Sequence, residues 1–201
     1  MSEDTDNDYR ERWERRYRQG PDAASGAARV LTENAHLLPA AGQALDLACG
    51  LGANALFMAR RGLHTQAWDW SREAVRRLEA AAQGLTLTAQ VRDVVQAPPE
   101  PRSFDVVVVS RFLERGLLPA LANALRPGGL LFYQTFTRER VDDTGPNRPQ
   151  FRLAENELLE RFRTLRVLVY REEGRVGDCS RGFRNEAMLV ARRPRDRHPR
   201  P

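Results

Sequence analysis

Four consecutive valines, Val106 to Val109, sit inside the run Phe104–Ser110. A strand with one wet face alternates apolar and polar residues. This one does not, so both of its faces must be covered. Helices cover both faces of a sheet when they serve as crossovers between parallel strands. The rest of the chain keeps that rhythm. Apolar runs at Ala44–Ala48, Thr65–Trp70, Leu85–Val91, Leu130–Phe136, Leu165–Tyr170 and Glu186–Ala191 predict six more strands. Helical spacing occupies Ala53–Arg61, Ser71–Gln83, Leu117–Leu125 and Leu153–Phe162. Ser71 is placed to cap its helix and Gly84 to end it. Pro98, Pro99 and Pro101 mark a loop, Pro127-Gly128-Gly129 a turn, and Thr137–Phe151 a long polar loop. No helical pattern separates the last two strands, so a hairpin should join them and the last should run antiparallel. The expected fold is α/β: a doubly wound, seven-stranded, mostly parallel sheet in an α/β/α sandwich.

The 201 residues suit one such domain, expected over residues 9–191. Residues 1–8 carry four acids and residues 192–201 five arginines and three prolines; both read as disordered tails. No stretch approaches the ~20 apolar residues of a membrane helix, and the acidic start does not read as a secretory signal. Cys49 and Cys179 are distant and the three histidines scattered, so neither a disulfide framework nor a metal site is expected. These features place the chain in the cytoplasm. All 32 basic side chains are arginine, and isoleucine is missing as well. Lys and Ile codons are AT-rich, so both absences point to a GC-rich, bacterial genome. The charge of +5 is therefore weak evidence for nucleic-acid binding.

The chemistry concentrates at Leu45-Asp46-Leu47-Ala48-Cys49-Gly50-Leu51-Gly52-Ala53-Asn54. A strand enters a glycine-rich turn and a helix leaves it. Glycine permits positive φ and close backbone approach, and open α/β sheets bind ligands at this carboxyl edge. Asp69 ends the second strand and can accept hydrogen bonds from both hydroxyls of a ribose. Asp93 follows the third strand and could accept from an exocyclic amine. Each alone is ordinary; the ordered series, one after each of three successive strands, is not.

On these residues the chain resembles the class I S-adenosylmethionine-dependent methyltransferase family over about residues 10–192. Leu45 to Gly52 is similar to the family's glycine motif, with Ala48 at the first glycine position. Asp69 matches its ribose-binding acid, Asp93 its adenine-binding acid, and Pro127-Gly128-Gly129 the turn before strand five. The nearer resemblance is to the tellurite-resistance (TehB-like) branch, through Trp13 and Tyr17, Phe136-Thr137, Gly145-Pro146 and Asn156-Glu157-Leu158. The resemblance implies S-adenosylmethionine as cofactor, held by Asp46, Ala48, Gly50, Gly52, Asp69, Trp70, Asp93, Val94 and Ser110. Gly50 to Ala55 also fits a dinucleotide GxGxxA loop. Against that stand Asp46 inside the strand, the missing lysine of a Tyr-x-x-x-Lys set, and the C-terminal strand pair.

Methyl transfer is a direct displacement that needs alignment more than side-chain chemistry, and no catalytic residue is assigned. Acceptor residues should follow strands four and five: Arg111, Tyr133, Thr135 and Arg138. Tyr133 and Thr135 share a strand face, with core packing as the plain alternative. Trp13 and Tyr17 lie four apart on a helix and either cap the cofactor or anchor that helix. Strand four is not followed by the Asp/Asn-Pro-Pro-aromatic signature of base-amino methyltransferases. The expected acceptor is a small molecule, a thiol or a chalcogen oxyanion. RNA or protein as substrate, and a non-catalytic cofactor-binding subunit, stay open as alternatives.

Overall fold

The computed structural model describes residue 11, residues 13–20 and residues 26–196. Seven strands form one sheet in the order β3-β2-β1-β4-β5-β7-β6. Strands β1 (Gln43–Leu47), β2 (His64–Asp69), β3 (Leu87–Val91), β4 (Phe104–Ser110) and β5 (Leu125–Phe136) are parallel. Strand β7 (Glu186–Arg192) slots antiparallel between β5 and β6 (Arg166–Arg171), so the last strand alone runs backwards, as the hairpin requires. Because β1 pairs with β2 on one side and β4 on the other, the chain winds away from β1 in both directions. That reversal opens a crevice at the carboxyl ends of β1 and β4.

The valine run divides between the two faces. Val107 and Val109 join Leu45, Leu47, Leu131 and Tyr133 beneath α5 (Leu118–Ala124) and α6 (Glu157–Arg161). Val106 and Val108 join Ala44, Leu130 and Phe132 beneath α2 (Arg29–Thr32) and α3 (Ala53–Ala59). All four valines are 0% exposed, the condition that their lack of alternation demanded. Helix α4 (Arg72–Ala81) covers β2 through Leu78 on Ala67. The Ser71 hydroxyl accepts from the Ala74 amide at 3.1 Å and caps that helix. Ahead of α2, residues 13–19 form helix α1.

Three local expectations change. Pro127-Gly128-Gly129 is a bulge inside β5 rather than a turn before it: Phe104 pairs with Leu125 and Val106 with Leu130, which leaves four residues looped out. Leu153 does not begin a helix; it bridges Thr137, and its amide bonds the Phe136 carbonyl, so α6 starts only at Glu157. The C-terminal segment is ordered further than its composition implied. Arg192 pairs with Leu130 and Arg166, and Arg193 exchanges backbone bonds with Gly128 and Gly129. The acidic stretch 1–8 and residues 197–201 lie outside the described residues.

Candidate functional site

The turn after β1 is built from left-handed backbone: Ala48 at φ 54, Gly50 at φ 54 and Gly52 at φ 75. Two of these positions also need the missing side chain. A Cβ on Gly50 would lie 2.9 Å from the Tyr17 hydroxyl, and one on Gly52 2.4 Å from Leu78 Cδ1. Glycine at 50 thus lets α1 close over the turn, and glycine at 52 lets α4 pack behind it.

Asp46 lies under the turn, 1% exposed. Its Oδ2 accepts from the Ala55 amide at 3.0 Å and its Oδ1 from Asn54 Nδ2 at 3.4 Å. Burial pushes its carboxyl up to about 8, against those two hydrogen bonds. Asn54 is the hub that sequence reasoning passed over. Its Nδ2 also donates to Ser110 Oγ at 3.1 Å, at the end of β4, and its Oδ1 accepts from the Ala28 amide at 2.9 Å ahead of α2. One side chain therefore spans the crevice from β1 to β4. A lone polar residue within Ala53-Asn54-Ala55-Leu56 was the available signal.

Asp69 closes the other wall. Its Oδ2 accepts from the Gly50 amide at 2.8 Å and its Oδ1 from the Ser71 amide at 2.9 Å, so one carboxylate fixes both the turn and the start of α4. Burial pushes its pKa up. Glu14 of α1 reaches the same place. Its Oε1 accepts from the Arg72 amide at 2.9 Å, while its Oε2 is buried with no hydrogen-bond partner among the described residues. Each carboxylate oxygen has two lone pairs, so this pair of acids retains acceptor capacity toward the crevice.

Beyond β3, Asp93 Oδ1 accepts from the Val95 and Gln96 amides at 3.0 and 3.3 Å, and Val94 is buried. The Arg92 amide bonds the Asp69 carbonyl at 2.8 Å, which brings this turn beside β2. Of the two tryptophans flanking Asp69, Trp68 is core, set edge-on to Phe104 and covered by the Arg92 guanidinium at 3.8 Å; Trp70 is half-buried. Cys49, half-buried in the turn, has its thiol pushed well up by burial and by Asp46 and Asp69.

On the β4–β5 side, Arg111 stands just past Ser110 with φ 55, a strained backbone for a residue with a Cβ. Its Nε donates to Glu186 Oε1 at 3.0 Å, and its side chain stays 61% exposed, so most of the guanidinium still faces outward. Glu186, at the head of β7, also accepts from Gln134 Nε2, and Gln134 Oε1 accepts from the Val30 amide at 2.7 Å. Gln134 and Glu186 are polar residues inside apolar strands, a signal that sequence reading did not use. Tyr133 and Thr135 do share a face, but it is the face under α5 and α6. Tyr133 is fully buried against Phe162, gives its hydroxyl to the Phe112 carbonyl at 2.8 Å, and has its pKa pushed up by burial. Thr135 is buried beside it on the strand, and Arg138 is exposed beyond the end of β5. The structure thus gathers Asp46, Ala48, Gly50, Gly52, Asp69 and Ser110 around one crevice, with Trp70, Asp93 and Val94 along its β2–β3 wall. Arg111 stands at its rim, and Tyr133, Thr135 and Arg138 stand apart. Among the described residues no group of three or more His, Cys, Asp or Glu side chains is disposed to hold a metal, and no helix is long and apolar enough to cross a membrane.

The sequence profile described as a methyltransferase domain matches residues 44–129. The chain is 37% identical over 102 residues to a ubiquinone biosynthesis O-methyltransferase of Aeromonas salmonicida, covering 47% of this chain and 43% of that one. It is 33% identical over 134 residues to the protein of that name from Xanthomonas axonopodis pv. citri, covering 63% and 56%. The chain thus spans about half the length of these relatives. In fold it is similar to TehB of Haemophilus influenzae, with a TM-score of 0.68 at 22% identity, over 85% of this chain and 63% of that one. It is also similar to the [4+2]-cyclase SpnF, with a TM-score of 0.66 at 18% identity, over 86% of this chain and 85% of that one.

Proposed function

We propose that this chain, which carries a class I S-adenosylmethionine-dependent methyltransferase domain, moves the cofactor's methyl group to a small anionic acceptor bound beside Arg111. The observation that carries this reading is the crevice where Asp46, Asn54, Ser110 and Asp69 converge across the switch between β1 and β4. The SpnF likeness is a reminder that the fold alone does not fix a reaction.

The residues present fit the cofactor. It carries hydroxyl donors and positive charge, and the crevice offers two acids, Asp69 and Glu14, the second with a buried oxygen that has no donor among the described residues. Asp69 and Glu14 would take the ribose hydroxyls, the amides of the glycine turn the rest of its polar edge, and Trp70 and Val94 the flat base. When bound, S-adenosylmethionine supplies a methyl group on a sulfonium that is already a good leaving group. The chain then has to align and to exclude water. Asp46 and Asn54 hold the turn and the end of β4 at a fixed separation. Tyr17 closes the turn from above. Glu186 is a positioning residue that fixes Arg111, and the outward nitrogens of Arg111 would receive a carboxylate or phenolate group.

That both relatives are O-methyltransferases by name supports oxygen as the accepting atom; a thiol or a chalcogen oxyanion is the second arm of the test. A small molecule is favoured over nucleic acid because many arginines are spent in ion pairs: Arg77 on Glu73, Arg115 on Glu157, Arg126 on Asp105 and Arg171 on Glu173. We place the chain in the cytoplasm and take residues 9–196 as the catalytic domain. The test is release of S-adenosylhomocysteine across hydroxybenzoates, catechols, thiols, tellurite, selenite, tRNA and bulk protein. Turnover is expected with an anionic hydroxylated aromatic, and Arg111→Ala should raise its KM about tenfold without weakening cofactor binding. Turnover confined to tRNA or protein would overturn the reading.

A further inference from the structure

The amino edge of the sheet carries a second cavity, of about 360 Å³, where β4 and β5 begin and β7 ends. It lies at the other end of β5 from Arg111, some six residues away or about 20 Å along the strand. Its apolar walls include Leu37, Leu130 and Leu168, and its charged wall is Arg192 and Arg195. Neither guanidinium has a carboxylate at ion-pair distance among the described residues. The one acid in the lining, Asp105, is already committed: its Oδ2 accepts from Arg126 Nη1 and from the Gln43 amide, both at 2.8 Å. Arg192 Nε is buried with no hydrogen-bond partner among the described residues. The stem of Arg195 lies across Gly128, its Cγ and Nε each 3.5 Å from where a Cβ would stand.

We propose that this cavity binds a small amphipathic oxyanion, with a phosphate or carboxylate group on Arg192 and Arg195 and a short apolar body on Leu37, Leu130 and Leu168. Two planar donors lining one cavity, neither ion-paired among the described residues, suit an oxyanion, and a charge neutralised at Asp105 does not oppose it. The walls account for an apolar body, which inorganic phosphate lacks. The proposal is independent of the methyl-transfer reading, because no residue of the crevice takes part.

Calorimetry on the full chain with phenyl phosphate, benzoate, inorganic phosphate and tRNA tests it. Saturable binding of phenyl phosphate or benzoate is expected, at least fivefold tighter than inorganic phosphate. Arg192→Gln with Arg195→Gln should weaken it at least tenfold and leave S-adenosylmethionine affinity unchanged. Arg195→Gln alone, at an exposed position, should weaken it at least threefold and keeps the test open if the double variant does not fold. No saturable binding, binding of tRNA alone, parity between phosphate and phenyl phosphate, or unchanged affinity in the variants would each overturn the proposal.

Discussion

Ala48 carries the most instructive backbone in the molecule. It holds φ 54 at the position where the family's motif has glycine. A left-handed conformation costs a residue with a Cβ roughly 1–2 kcal/mol. Glycine avoids that cost but loses about 0.5–1 kcal/mol of unfolded-state entropy. Ala48→Gly should therefore gain up to about 1.5 kcal/mol and raise Tm by up to about 6 °C in a chain of this size. A lower Tm would show that the alanine methyl packs better than its backbone is strained. Asp46 gives a pH prediction. Its carboxyl titrates near 3.8 when unfolded and about 8 when folded. Between those values the folded state holds the extra proton, so stability falls as pH rises from about 4 to about 8 and then levels. Urea midpoints measured from pH 5 to pH 8 should decline in the wild type and decline less in Asp46→Asn. A wild-type midpoint that rises over this range would contradict the assignment.

At the scale of elements, one side chain ties the segment from Thr137 to Leu153 together from within, while Asn185 and Arg115 hold it from outside. Arg152 is 3% exposed and donates from Nε to the Pro146 carbonyl, from Nη1 to Thr137 and from Nη2 to Thr144. Arg152→Met keeps much of the volume and strands three carbonyls. Amide hydrogen exchange should accelerate at least tenfold over 139–151 while β1, β4 and β5 stay protected; uniform acceleration would mean that the loop is part of the global folding unit. This loop also shows where sequence reading stops. Polar composition and two prolines mark it as a loop, but they do not signal that the guanidinium of Arg152 folds back on it. The start of α6 differs for a related reason: Leu153 fits a helical period, yet its backbone is taken by the end of β5. Hydrogen-bond partners outside the local helical period decide both outcomes, and periodicity does not register them.

At the scale of the whole molecule, the valine run, the strand–helix rhythm and the unhelical link before β7 were enough to read the sheet and its reversed strand. The positions of Asp46, Gly50, Gly52 and Asp69 are legible because each lies in or just past the last residues of a strand. Asn54, Gln134, Glu186 and Glu14 were not, since each acts by joining elements that only the folded chain brings together. Tyr133 and Thr135 mark the same limit from the other side. Strand alternation puts them on one face correctly, and only the packing of α5 and α6 decides that this face is core.

We propose that the crevice between β1 and β4 holds S-adenosylmethionine through Asp69. Isothermal calorimetry on the full chain measures it directly. One-to-one binding in the micromolar range is expected, with a loss of about 1–3 kcal/mol in Asp69→Ala from the missing acceptor. No binding by the wild type at high micromolar cofactor, or equal affinity in the variant, would contradict it.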